Sequence, residues 1–448
     1  MNTIPTHRFG AGVPGLALVL LLFLAAPGLD AQVPAPPQNG PIALTGGTLH
    51  TMADGVIENG TLVFDNGRIT AIGTDVSIPA GAEQIDISGL HVYPGLINGN
   101  SHVGLFEIGG FDVTIDTNEH DDINPNMRAE VAVHPESRHI GTTRNSGVLV
   151  TVATPSGGRI SGLAAAMNLD GWTWEEMTLR GGVGLMVNWP GGGGGFGGFG
   201  GGGGQQAAQY RAGVEEIKEA FARARAYKTA VEAAEAGQAA PVDFDARWEA
   251  MRPVLDGEIP VIVNESQPDR IRDAVEWAND EGVRMILMGG ADAEFAADVL
   301  VANDIPVLLT SVLDSPNRAW APYDDRYNLP ARLADAGVRF AIVGGTSAPY
   351  SNRLPWEAGV TMAFGLTEEQ ALRSVTIDAA EIFGIDDRVG SLEEGKDATL
   401  LITTGNPLDY TSHIERAFIE GRDIDLVDAH REFYDRYSEK LRQVQGGG

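Results

Sequence analysis

The 448-residue chain contains no cysteine, which rules out disulfides, a thiolate nucleophile and any zinc site built on sulfur. Lysine is almost as scarce, limited to Lys218, Lys228, Lys396 and Lys440, and no histidine occurs between His139 and His413. Basic charge in general is short: 31 Lys and Arg face 61 Asp and Glu, a formal net charge of −30. A surface of that sign repels phosphate backbones and anionic membranes, so nucleic acid is not an expected partner. The excess reads as a solvation device, or else as a surface that draws cations. No Gly-x-Ser-x-Gly elbow is present, and Ser347, after Gly344-Gly345-Thr346, has no histidine near it in sequence, so a serine triad is poorly supported.

Apolar runs long enough to span a bilayer are missing as well. The longest, Val13 to Ala26, has about 14 residues where a spanning helix needs about 20. It follows His7 and Arg8 and precedes Pro27-Gly28 and Ala31, so residues 1–31 read as a cleaved export leader, with a retained anchor as the alternative. The mature protein is then expected in the periplasm or secreted, without a membrane span.

The remaining sequence divides by pattern. Residues 32–41 are a Pro-rich linker. From 42 to 91, short apolar runs alternate with turn signals, among them Asp65-Asn66-Gly67 between Thr61–Phe64 and Ile69–Ile72, which predicts a tight hairpin in a small β unit. From 92 to 385 strand-like runs alternate with helical stretches: Ile259–Val263, a helix over Pro268–Glu281, Met285–Met288, a helix over Ala293–Asn303, Ile305–Leu309, a helix near Leu329–Ala336, and Val338–Val343. That rhythm predicts an α/β fold with a (β/α)₈ TIM-like barrel. Leu354–Gly384 reads as helical. Residues 386–425 return to the β style of the N-terminus, so the two ends are expected to build one composite β-sandwich beside the barrel, before a helix and tail over 426–448. Gly191–Gly204 is glycine except for Phe196 and Phe199, which predicts a mobile loop, either a lid or an insertion without a role. Leu169–Met177 reads as a strand end followed by a helix capped by Asp170 or Thr173. Its tryptophans could line a pocket or pack between barrel and helix.

Four blocks carry a resemblance: Val92-Tyr93-Pro94-Gly95-Leu96-Ile97-Asn98-Gly99-Asn100-Ser101-His102, then Gly365–Leu372, Thr376–Ala380 and Gly390–Ala398. In this order they resemble the amidohydrolase superfamily, particularly exported imidazolonepropionase-like and prolidase-like members, over about residues 42 to 437. The resemblance implies hydrolysis of a carbon–nitrogen bond in a small substrate such as a cyclic amide or dipeptide. It also implies one or two divalent metals, zinc in the family, at the C-terminal mouth of the barrel.

The ligand positions that the resemblance implies are occupied by other residues. Where the first strand would end in Asp-x-His-x-His, this chain has Asn98-Gly99-Asn100-Ser101-His102. The histidines of strands five and six are replaced at Asn264 and Gly290, and the strand-eight aspartate at Gly345; no lysine stands near Leu185–Asn188, where a bridging one would belong. Neutral amides and glycine bind a divalent ion far more weakly than imidazole or carboxylate, so tight zinc binding is not expected.

Several candidates remain. His102 is the surviving metal ligand, or a general base with Glu265 or Glu107 as acid, or a buried histidine left over from ancestry. Asn100, Asn264 and Arg159 are candidate substrate-binding residues; Arg159 and Arg144 suit a substrate carboxylate, or structural ion pairs. A second metal site could form in the acidic loop with Glu119, His120 and Asp121, flanked by Asp112, Asp116, Asp122, His134 and His139, although the bland reading is a solvated loop. Two functional readings follow: a carbon–nitrogen hydrolase with an altered site, or a catalytically inactive relative that binds a ligand or partners an intact homologue. Association into homo- or hetero-oligomers is expected of either.

Overall fold

The computed structural model describes residues 33–191 and 203–446. The expected leader and nearly all of the glycine-rich insertion lie outside the described residues. At the N-terminal end, β1 (Ile42–His50), β2 (Val56–Asp65) and β3 (Arg68–Gly73) form an antiparallel meander, with β4 (Glu83–Asp86) and β5 (His91–Pro94) both parallel to β1. The β2–β3 turn is the expected hairpin. Asn66 and Gly67 sit between the paired Asp65 and Arg68 with φ of 49° and 80°, the left-handed pair that a type I′ turn requires.

The barrel consists of β6 (Leu96–Ser101), β7 (Val148–Ala153), β8 (Ile160–Asn168), β9 (Thr178–Asn188), β10 (Val261–Glu265), β11 (Met285–Gly289), β12 (Val307–Leu309) and β13 (Phe340–Ile342). These pair in sequence order into one eight-stranded, nearly closed sheet. The C-terminal strands β14 (Leu400–Thr403), β15 (Ile414–Ile419) and β16 (Arg422–Ile424) join the other sheet through β14 and β5, so both ends of the chain share one eight-stranded sheet. Its core includes Leu44, Leu62, Phe64, Leu400 and Phe418.

Alternation along the barrel strands separates two buried layers. Ile262, Ile286, Met288, Leu308 and Ala341 belong to one cluster, together with Val150 and Val152. Their neighbours Val261, Val263, Leu287, Leu309 and Ile342 pack instead with helix residues such as Ile271, Ala274 and Trp277 of Pro268–Glu281. One face of each strand therefore fills the barrel and the other seats the helices.

Two features differ from the sequence expectation, and a third adds an element that it did not include. β8 runs antiparallel to both neighbours, so the barrel is not a uniform (β/α)₈ repeat. The cause is local: β7 and β8 are joined only by residues 154–159, too short for the crossover a parallel pair needs. The stretch from Leu354 breaks into three helices, Leu354–Met362, Glu368–Ser374 and Ile377–Phe383, because Thr367 and Gln370 form a reciprocal capping box that starts a new helix. A long helix, Gly203–Glu235, follows the insertion.

Candidate functional site

A parallel barrel strand presents its last inward-facing residues at the C-terminal mouth, and those residues define a cavity of about 290 Å³ here. β6 supplies Asn100 and, just past its end, His102. Thr154 and Ser156 follow β7, Met186 and Asn188 end β9, Asn264 comes from β10, and Met288 from β11. Thr310, Ser311, Gly345 and Thr346 come from the segments after β12 and β13. The sequence candidates His102, Asn100 and Asn264 thus meet in one cavity. Asn188, Thr154 and Thr346 join them. Their signal in the sequence is positional: each is a polar residue at or just beyond the end of an apolar run, where a barrel strand opens into its mouth.

The asparagines hold one another in place. Asn100 Oδ1 accepts from Thr154 Oγ1 at 2.9 Å, and Asn100 Nδ2 reaches the Gly344 carbonyl at 3.5 Å. Beneath it, fully buried Asn98 accepts from the Asn100 backbone N–H at 3.0 Å, while its own Nδ2 has no protein partner. Asn188 Nδ2 donates to the Gly158 carbonyl and to Ser161 Oγ, both at 2.9 Å, leaving its oxygen to accept from Asn264 Nδ2 at 3.4 Å.

His102 is fixed by its backbone, which donates to the Thr346 carbonyl at 3.1 Å. Burial drives its imidazole down to about 4, partly offset by a hydrogen bond with the Thr154 backbone. The ring is therefore neutral at pH 7, and its buried Nε2 lacks a protein partner.

Other candidates lie elsewhere. Glu265 follows the outward face of β10, with Val261 and Val263, and does not line the cavity. Its Oε1 accepts from the backbone N–H groups of Ser266 and Gln267 at 2.7 and 2.9 Å, tying down the entry to helix Pro268–Glu281, and burial raises the carboxyl. Arg159 pairs with Glu216 at 3.4 Å on the long helix, and Arg144 is buried against Asp170 at 2.8 Å. The Glu107 carbonyl contacts the ring of His139 at 3.1 Å. Glu119, His120 and Asp121 are exposed, as are Asp112, Asp116 and Asp122. Thr173 caps the one-turn helix Trp174–Met177 by accepting from Glu176 N–H.

The donor set of the mouth does not fit a divalent metal. Among the described residues no three His, Asp or Glu side chains come together as ion ligands, and the acidic loop does not converge either. The cavity offers one imidazole together with neutral amides, hydroxyls and thioethers. Gly290 has no room for a ligand side chain: φ is 59°, and an added Cβ would stand 2.6 Å from Val307 Cγ1.

A family model described as Amidohydrolase family matches residues 264–425. Imidazolonepropionase of Geobacillus kaustophilus is 25% identical over 382 residues, 78% of this chain and 84% of the relative. The amidohydrolase of Thermotoga maritima superposes with a TM-score of 0.76 at 24% identity, covering 86% of this chain and 99% of the other. Residues 264–425 thus match the amidohydrolase superfamily, and most of the chain is similar to its members in sequence and shares their fold. Local similarity within the superfamily is higher: imidazolonepropionase of Erwinia tasmaniensis is 46% identical over 72 residues, a match spanning 16% of either protein. A prolidase complexed with N-methylphosphonate-L-proline shares this amidohydrolase fold with a TM-score of 0.52 at 18% identity, over 86% of this chain and 99% of its own.

Proposed function

We infer that this amidohydrolase-fold chain binds a small molecule at its barrel mouth and does so without the metal-dependent hydrolysis of its relatives. One observation carries the reading: among the described residues, those that converge on the mouth cavity include no carboxylate, no lysine and a single imidazole. Metal-assisted hydrolysis needs several strong ligands to hold the ion and sharpen its bound water. The cavity keeps the place and the hydrogen-bonding capacity of an active site and has lost the charge. With the leader expected at residues 1–31, the ligand would be met outside the cytoplasm. An intact homologue as partner subunit fits the same reading.

A second reading is favoured by His102. Its neutral imidazole lines the cavity and could serve as a base toward water attacking a carbon–nitrogen bond, the bond class the superfamily suggests. A base whose conjugate acid titrates near 4 is weak at neutral pH, and no acid lines the cavity to protonate a leaving amine.

Metal content and turnover decide between the two. Protein purified without chelators is expected to hold well under one divalent ion per chain by mass spectrometry, and to leave a panel of lactams, dipeptides and imidazolones intact. A stoichiometric ion that disappears in His102→Ala, or turnover that this substitution abolishes, would overturn the non-hydrolytic reading.

A further inference from the structure

In a chain with a net charge of −30, the described residues that line the mouth cavity carry no formal charge. Three primary amides, Asn100, Asn188 and Asn264, stand among hydroxyls such as Thr154 and Thr346. Met186 and Met288 supply apolar wall. We propose that the ligand of this site is itself small and uncharged, a polyol, sugar or amide recognised through donors and acceptors together. The proposal rests on the binding reading above and adds the chemical class.

The physical argument concerns desolvation. An ion taken into a cavity loses several kcal/mol of hydration unless an opposite charge or a dense set of oriented donors replaces it. Among the described residues no guanidinium, ammonium or carboxylate lines this cavity to do so. Charges do lie behind its wall: Arg326 donates to the Ser311 carbonyl, and Glu357 accepts from Val312 N–H at 3.1 Å. Both are buried, and burial pushes the Arg326 guanidinium down and the Glu357 carboxyl up, with their mutual attraction a partial offset. Neither side chain lines the cavity. The carboxylate that a dipeptide or an imidazolone propionate would carry finds no partner here, and the overall negative field repels it further.

Neutral polar ligands meet the opposite situation. An amide side chain offers both donors and acceptors, and hydroxyls rotate to either role, so a ligand bearing hydroxyls or amides can satisfy several at once. His102 lines the cavity too, and its ring is neutral, in keeping with the uncharged lining. At about 290 Å³ the cavity lies at the small end of ligand pockets, suited to one ring and its substituents.

The test is a fragment library balanced among anions, cations and neutral polar compounds, screened by thermal shift on the full chain. Each hit is repeated on Asn264→Leu and, independently, Met288→Phe, so that one misfolded variant does not remove the control. Site hits are those weakened about tenfold or more by either folded variant, the effect of one lost hydrogen bond or a filled wall. Neutral compounds are expected to dominate the site hits. A majority of carboxylates, phosphates or amines among them would overturn the neutral-ligand assignment while leaving binding at the mouth intact. No site hit of any charge would remove the binding reading itself, and this proposal with it.

Discussion

His102 shows how much one side chain's surroundings decide. In the unfolded chain its imidazole takes up a proton near pH 6.5; in the fold, burial delays this to about pH 4. As pH falls through that window the unfolded state binds the proton first, so His102 removes stability between pH 6.5 and about 4 and has no such effect above it. His50, also lowered to about 4 by burial, acts in the same direction, whereas the raised carboxyls of Glu265 and Glu357 favour the folded state as pH falls. His102→Asn is therefore expected to lose less stability than the parent between pH 7 and pH 4.5. The difference should be about 2 kcal/mol, discounted for partial exposure and read by denaturant titration at both pH values. Part of this site was legible before folding. The Asn98-Gly99-Asn100 segment and Asn264 sit in motifs whose chemistry is familiar, so their replacement stood out. Asn188 and Thr154 did not stand out, because nothing local distinguishes a polar residue at a barrel mouth from one in any loop. Glu265 reads as a site residue beside Asn264, but the two-residue period of a strand turns adjacent side chains to opposite faces.

Among the elements, those with strong periodic signals matched well. Helix Pro268–Glu281 begins at a proline and ends before Gly282 in the left-handed region, both punctuation marks visible in sequence. β8 was harder to read. Its Ala164-Ala165-Ala166-Met167 segment has little strand preference, and only sheet neighbours on both sides make it extended. The long helix Gly203–Glu235 buries Ile217, Ala220, Phe221 and Ala224 within a largely polar, alanine-rich sequence, so its amphipathic signal is diluted. Close packing also explains a glycine that the ligand motif alone does not. A Cβ at Gly99 would stand 2.6 Å from both the Phe383 ring and Val343 Cγ1. Gly99→Ala is expected to cost about 1 to 3 kcal/mol of unfolding free energy through overpacking where β6 meets helix Ile377–Phe383. A calorimetric melt unchanged from the parent would contradict that packing argument.

At the scale of the whole molecule, the barrel mouth lies where the resemblance implies a metal site, so supplying ligands there is a direct test of that expectation. Gly345 has room for a side chain: the nearest atom to an added Cβ is the Thr310 carbonyl oxygen at 3.6 Å. Asn100→His, Asn264→His and Gly345→Asp, combined with the existing His102, are expected to give a chain retaining about one zinc through gel filtration. The same measurement on the parent should find almost none. Gly290→His is expected to misfold instead, for the steric reason given above.

The barrel sheet runs from β13 to β6 without pairing those two ends. Among the hydrogen bonds that cross the gap at the mouth are the His102 N–H to the Thr346 carbonyl and the longer reach of Asn100 Nδ2 to the Gly344 carbonyl. The candidate site therefore sits on the barrel's weakest line, and its residues are the fasteners. In native-state hydrogen exchange, the amide protons of His102 and its neighbours along this line should exchange by local opening, well before those of β10 and β11, which are paired on both sides. A molecule held between Asn100 and Thr346 would slow that exchange first, so occupancy can be followed as the closing of a seam.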